Sequence, residues 1–303
     1  MGLLYFLEKL RVPVLNELML LVTQLGEETA FLVLALIIFW CVDKRRGYYV
    51  MAVGFVGMTL NQILKLICRV PRPWELDQNF TILEQARDAA KGYSFPSGHT
   101  STAVGTFGAI AMTEKRRWIK VICVTLMVLV GFSRMYVGVH TPYDVVAGAA
   151  CALVLVFGMK PIVMDNRDKA MKILLASMLA LGIGYLLYVE CYPFPADFDA
   201  HNLTSATENA YTMIGCLIGV AVVYAAEKKW INFSVEGKWW VQLIKIVLGL
   251  LLVLAVKSGL KEPLILLFGS ELIARAVRYF LVVLTAGLLW PMTFRFWNRL
   301  GSK

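Results

Sequence analysis

Long apolar runs closed by short charged clusters set the rhythm of this chain. A helix needs about 20 apolar residues to cross the hydrocarbon core of a bilayer. Nine segments approach that length: Glu27 to Val42, Gly47 to Cys68, Ser97 to Met112, Trp118 to Ser133, Thr141 to Met159, Lys169 to Glu190, Ser205 to Glu227, Trp239 to Lys257 and Leu272 to Phe294. Within them apolar residues are continuous rather than alternating, so the pattern predicts helices and not barrel strands. Two shorter stretches precede the first run. Leu3 to Leu10 is amphipathic and is closed by Arg11 and Pro13; Val14 to Gly26 is interrupted by Asn16 and Glu17. Both read as interfacial helices lying along the bilayer surface. The fold class expected is all-α, a polytopic transmembrane helix bundle of about nine spans.

Composition agrees with that reading. The chain of 303 residues is 59% hydrophobic and 17% charged, with a mean hydropathy of +0.67. A soluble domain cannot hide so much apolar surface. The net charge of +9 does not point to nucleic acid, because no single domain carries a concentrated basic footprint. It fits basic residues gathered in cytoplasmic loops or against anionic headgroups. The six cysteines show no metal-ligand spacing and read as small core residues. A Cys68–Cys191 disulfide is an option that only proximity can decide. No basic n-region with a small-residue cleavage site opens the chain, so no signal peptide is expected.

The loops assign the two faces. Lys44-Arg45-Arg46, the Lys115 to Lys120 cluster, Lys160 with Arg167, Lys169 and Lys172, then Lys228, Lys229 and Lys238, and finally Arg295, Arg299 and Lys303 fall on one side of a nine-span path. The loop Cys191 to Thr204 on the other side has Asp197 and Asp199 and no Lys or Arg. The positive-inside rule makes the basic side cytoplasmic, with the N-terminus outside and the C-terminus inside. The loops Val70 to Pro96 and Arg134 to His140 then lie on the outer face.

Those two loops and their flanks carry the candidate chemistry. They contain Lys65 and Arg72-Pro73, then Pro96-Ser97-Gly98-His99, then Ser133-Arg134 followed by His140 and Asp144. Thr141-Pro142-Tyr143-Asp144 reads as a helix start, with Thr as N-cap and Pro at the first helical position. Asp144, one turn from His140, can accept a hydrogen bond from one ring nitrogen and leave the other as a nucleophile. Ser97 is a natural N-cap, and Gly98 permits close backbone approach. Two helix starts at one point would bind an anion through backbone N–H groups. His99 at the same mouth can donate a proton to a leaving oxygen. Lys65, Arg72 and Arg134 supply positive charge suited to phosphate. A lone Lys65 could equally be a snorkelling anchor, and a lone His an interfacial polar residue. The ordered set on one face is harder to explain that way.

The three motifs resemble those of the type 2 phosphatidic acid phosphatase (PAP2) superfamily, the lipid phosphate phosphatases. The likeness covers about residues 14 to 160. It implies a metal-independent mechanism with no cofactor. His140 would form a phosphohistidine, His99 would protonate the leaving group and then activate water, and Asp144 would orient His140. Lys65, Arg72, Ser97, Gly98 and Arg134 would bind the phosphate. Vanadium haloperoxidases share these motifs, but a nine-span chain does not suit that activity. The domain organisation expected is interfacial helices at 1–25, a PAP2-like core at 26–160 and additional C-terminal helices at 161–303, a span count similar to the glucose-6-phosphatase and sphingosine-phosphate phosphatase branches.

The reading that follows is an integral membrane phosphatase acting on a lipid phosphate or diphosphate at the non-cytoplasmic face of a plasma membrane. Its partners would be that lipid and the bilayer, with a homo-oligomer left open. The alternatives are a phosphotransferase that passes phosphate to an acceptor hydroxyl and a non-catalytic lipid-binding or transport protein. Leu83 to Lys91 is expected to form a short helix stopped by Gly92, and Trp74, Phe80, Tyr93 and Phe95 are either interfacial anchors or borders of the substrate. Lys257, Lys261, Arg275 and Arg278 stand out as basic residues near the outer face.

Overall fold

Every one of the nine apolar segments is helical in the computed structural model, which describes residues 1–302 apart from Asn166 and Asp197; Asp197 of the acidic loop and Lys303 of the basic set lie outside the described residues. The helices are α1 (Gly2–Lys9), α2 (Pro13–Gln24), α3 (Glu28–Cys41), α4 (Lys44–Cys68), α5 (Pro73–Leu76), α6 (Gly98–Thr113), α7 (Arg117–Tyr136), α8 (Pro142–Met164), α9 (Asp168–Cys191), α10 (Ala200–Ala226), α11 (Trp239–Gly259), α12 (Lys261–Phe268), α13 (Glu271–Leu284), α14 (Trp290–Met292) and α15 (Phe294–Ser302). No strand occurs among the described residues. The protein is an all-α polytopic membrane protein.

Seven helical segments among the described residues are long and apolar enough to cross a membrane, and α2 with α3, bent by 52°, supplies an eighth if counted as one span. The sequence count of nine included α6, whose 16 residues rise only about 24 Å. α2 leads into α3 through a bend at Leu25–Glu27. Leu83 to Lys91 holds only a one-turn 3-10 helix, Glu84–Ala86, and not the helix expected there. Gly92 does end the segment, at φ +69°. Cys68 and Cys191 are both free and exposed, so the disulfide option lapses.

The chain forms two compact units. The first comprises Met1–Leu34, Tyr49–Asp165 and Ala196–Ala206. Its core is made where α6 and α7 meet, with Ala103, Phe107, Cys123 and Val130 buried together. The Tyr49 hydroxyl donates to the carbonyl of Val156, pinning α4 to α8. At its other end Leu4, Phe80 and Ile82 bury against Tyr5 and Trp74, so α1 covers the 70–96 loop. Arg11 fixes that cover by donating to the carbonyls of Tyr136 and Thr81.

The second unit comprises Ala35–Tyr48, Asn166–Pro195 and Thr207–Lys303. Trp40 Nε1 donates to the carbonyl of Ala286, and Trp290 Nε1 to that of Lys245. Gly249 leaves room for both indole rings. Asp168 begins α9 and pairs with Lys172 and Lys228, an acidic residue placed where the helix dipole favours it.

Candidate active site

Local sequence fixes two helix starts in the first unit. Thr141 and Asp144 form a reciprocal capping box at the start of α8, as the Thr-Pro-x-Asp spelling predicts. Ser97 caps α6, its side chain accepting from the Thr100 N–H. A backbone hydrogen bond ties these two starts together: Ser97 N–H donates to the carbonyl of Asp144 at 2.9 Å. Their approach requires a glycine. A Cβ on Gly148 would lie 2.5 Å from the Ser97 carbonyl oxygen.

α4 brings Lys65 to the same place near its end, and the chain reaches Arg72 just before α5. The loop beyond supplies carbonyl acceptors for both cations. Lys65 Nζ donates to Lys91 O at 3.0 Å, while Arg72 donates to Lys91 O at 2.9 Å and Gly92 O at 3.0 Å. The positive φ of Gly92 aims those carbonyls inward. Arg72 Nη1 also reaches Val139 O, in the turn before His140.

His140 sits at the focus and is 1% exposed. Its Nε2 lies 3.0 Å and its Nδ1 3.5 Å from Arg72 Nη1, so the guanidinium sits against the face of the ring. Nδ1 is the nitrogen that faces Asp144. The Nδ1 to Oδ2 separation is 3.6 Å, longer than a hydrogen bond. Ser94 occupies the gap. Its hydroxyl donates to Asp144 Oδ2 at 2.7 Å and lies 3.4 Å from His140 Nδ1. Asp144 Oδ2 also accepts from Thr141 N–H at 2.7 Å. The direct His140–Asp144 bond expected from spacing is thus replaced by a contact that a serine shares. Burial pushes the His140 imidazole well below its ordinary pKa, and Arg72, Arg134 and Lys65 push it the same way.

Arg134 and His99 complete the cluster. Arg134 is fully buried; its Nη1 donates to Thr23 Oγ1 at 2.6 Å, while Nε and Nη2 have no partner. His99 Nε2 is likewise buried and unpaired. Buried polar atoms left unmatched cost about 1–3 kcal/mol each, so such atoms mark a place built for something else. Lys65, Arg72, Arg134, His99 and His140 are all within electrostatic range of one another. Gly98 holds the first position of α6, with its Cα hydrogen side close to Asn61 Oδ1. All eight residues singled out in the sequence therefore converge in the first unit.

Several participants left no signal in the sequence. Ser94 stands alone in an irregular loop with no spacing to anything. Thr23 lies on α2, a helix assigned to the bilayer surface. Asn61 donates to the Pro96 carbonyl before the motif helix. Glu27 and Glu28 act electrostatically on Arg134 and Lys65, so the site is less positive than its motifs alone suggest. Phe80 is a buried core ring against Tyr5, not a border of the site. His201 is exposed and belongs to no cluster. No group of three or more His, Cys, Asp and Glu among the described residues is arranged to hold a metal ion.

Residues 45–168 match the PAP2 superfamily, and residues 211–302 match the PAP2 superfamily phosphatase transmembrane extension. Undecaprenyl-diphosphatase BcrC of Bacillus subtilis is 32% identical over 48% of this chain and 72% of its own length. The chain belongs to the PAP2 superfamily. Phosphatidylglycerophosphatase B of B. subtilis is 31% identical over 50% of this chain and 76% of its own length. Mouse sphingosine-1-phosphate phosphatase 1 is 24% identical over 79% of this chain and 58% of its own. No solved structure matches. With relatives of this kind, the chain is a membrane lipid phosphatase of the PAP2 type, a phosphoric ester hydrolase.

Proposed function

We propose that this phosphatase hydrolyses a lipid phosphate or diphosphate through a phosphohistidine on His140, without a metal, at the non-cytoplasmic face of a plasma membrane. One observation carries the reading: the His140 ring meets Arg72, its Nδ1 side meets Asp144, and unpaired nitrogens of Arg134 and His99 are buried in the same cluster. The Nε2 lone pair is the nucleophile. It attacks phosphorus, and the bond from phosphorus to the lipid oxygen breaks as His99 gives that oxygen a proton. Arg72 exchanges its contact with Nε2 for a phosphate oxygen. Arg134 Nε and Nη2, Lys65, the Ser97 hydroxyl and the Gly98 backbone hold the others, where charge gathers in the transition state. Asp144 and Ser94 keep the Nδ1 proton in place, so the correct tautomer faces the substrate. In the second step His99 removes a proton from water, water attacks phosphorus, and the P–N bond breaks to release phosphate.

Three fixed cations supply the charge that a metal would otherwise bring. Orientation is supported by the helices that build the site. α6 and α8 start there, α4 and α7 end near it, and their opposite ends carry Lys44–Arg46, Lys115–Arg117 and Lys160. A substrate with its tail in lipid and its phosphate at the interface suits such a place. The relatives named for undecaprenyl diphosphate, phosphatidylglycerophosphate and sphingosine 1-phosphate define the panel to try.

The test is phosphate release from that panel in detergent with excess chelator. Wild type should turn over at least one member, and His140→Ala and His99→Ala should lose at least a hundredfold. Dependence on an added divalent metal, or survival of activity in His140→Ala, would overturn the mechanism.

A further inference from the structure

Basic residues that the active site leaves unused gather at a turn in the second unit. Trp239–Phe268 and Glu271–Met292 are both long and apolar enough to cross a membrane, and they meet at Gly269–Ser270. The first of them has 30 residues and would rise about 45 Å, against about 30 Å of hydrocarbon. Counted from Trp239, about 20 residues exhaust the core. The turn between the two spans, with Lys261 before it and Arg275 and Arg278 after it, therefore lies at one boundary of the membrane. Lys261, at the start of α12, and Arg275 and Arg278, on the opening turns of α13, line one groove there with Ile265, Glu271 and Ala274. The groove is small and opens to solvent.

Carboxylates answer part of this charge. Glu208 of α10 takes Arg275 at 2.9 Å, and exposed Glu262 lies 3.7 Å from Lys261 Nζ. Arg278 is different. Its Nε is buried without a hydrogen-bond partner, and its guanidinium carbon lies 5.4 Å from the centre of the Tyr279 ring. A buried N–H left unmatched is costly, and the guanidinium fork fits phosphate oxygens. Beside the groove Leu266, Leu267 and Ile273 are 85%, 73% and 45% exposed, an apolar flank suited to an acyl chain. Cations near a membrane boundary beside exposed leucines have the chemistry of a phospholipid site.

We propose that this groove binds the phosphate of an anionic membrane lipid through Arg278 and Lys261. The shared chemistry is a phosphate oxyanion, and the lipid is chosen over free phosphate because of the apolar flank. The inference does not depend on the catalytic reading, since none of its residues belongs to the site of the first unit.

The experiment uses full-length protein released from nanodiscs containing equal phosphatidylglycerol and phosphatidylcholine, read by native mass spectrometry. Wild type should retain phosphatidylglycerol at least fivefold over phosphatidylcholine. Arg278→Gln and Lys261→Gln should each abolish that preference, and Lys120→Gln, which does not line the groove, should keep it. Lys261 is exposed at a helix start, so its variant keeps the test alive if Arg278→Gln does not fold. In a second arm, inorganic phosphate alone should raise the Tm of wild type no more than that of Arg278→Gln. Unchanged retention in both groove variants overturns the proposal. A phosphate-only Tm rise that needs Arg278 also overturns it, because the ligand would then be a free anion.

Discussion

Removing the Ser94 hydroxyl tests the inner wiring of the site. Ser94 is fully buried and donates to Asp144 Oδ2 at 2.7 Å, a charge-assisted bond of short length. Such bonds contribute about 1.5–3 kcal/mol. In Ser94→Ala the carboxylate keeps its bond from Thr141 N–H at 2.7 Å, so it stays near its place but loses the contact that shares it with His140. If the whole effect falls on the transition state, kcat drops about 10- to 150-fold at 25 °C, since about 1.4 kcal/mol is tenfold. KM should change little, because Ser94 touches no phosphate-binding donor. The assay is steady-state phosphate release by wild type, Ser94→Ala, Asp144→Asn and the double variant. A serine that acts through Asp144 should have almost no further effect once Asp144 is neutral, giving a coupling of at least about 1 kcal/mol in the cycle. A kcat within twofold of wild type, or two losses that simply add, would refute the reasoning.

Gly148→Ala sets a Cβ 2.5 Å from the Ser97 carbonyl and should lower Tm and activity together, at a cost of about 1–3 kcal/mol, whereas Gly158→Ala on the same helix, with open space around it, should be neutral by thermal unfolding. Thr23→Val removes the acceptor of Arg134 Nη1 and should raise KM about tenfold with a smaller change in kcat; an unchanged KM would remove Thr23 from the site. Burial and three cations hold His140 neutral to lower pH than an ordinary imidazole of about 6.5, so the acid limb of kcat/KM should lie below that value. Taking away one positive neighbour raises the His140 pKa, so Arg134→Gln should move that limb upward on the same substrate, whose own ionisation is common to both profiles; a limb that stays or moves down would contradict the electrostatics.

Much of this was legible in the letters, for identifiable reasons. Helices of the spanning length follow from apolar runs, because lipid leaves the backbone no other partner. Thr141-Pro142-x-Asp144 and Ser97-Gly98 are local signals, and local signals survive without tertiary information. The site residues were readable because polar groups are rare in this chain and their spacing was ordered. What escaped depends on distant contact. Ser94 becomes meaningful only when the loop folds back on α8. Thr23 matters only because the bend after α2 brings that helix to Arg134. The misjudged Leu83 to Lys91 helix shows the same limit. Its composition favours a helix, yet the carbonyls of Lys91 and Gly92 serve better as acceptors for Lys65 and Arg72.

The most direct measurement is to look for the proposed phosphohistidine. Wild-type protein mixed briefly with a lipid phosphate labelled in phosphorus, then quenched in alkali, should carry label on His140 in a linkage stable to base and lost in acid. His140→Ala should carry none, and His99→Ala should release its label slowly. An unlabelled wild type that still turns over, or label that persists in His140→Ala, would contradict attack by this imidazole.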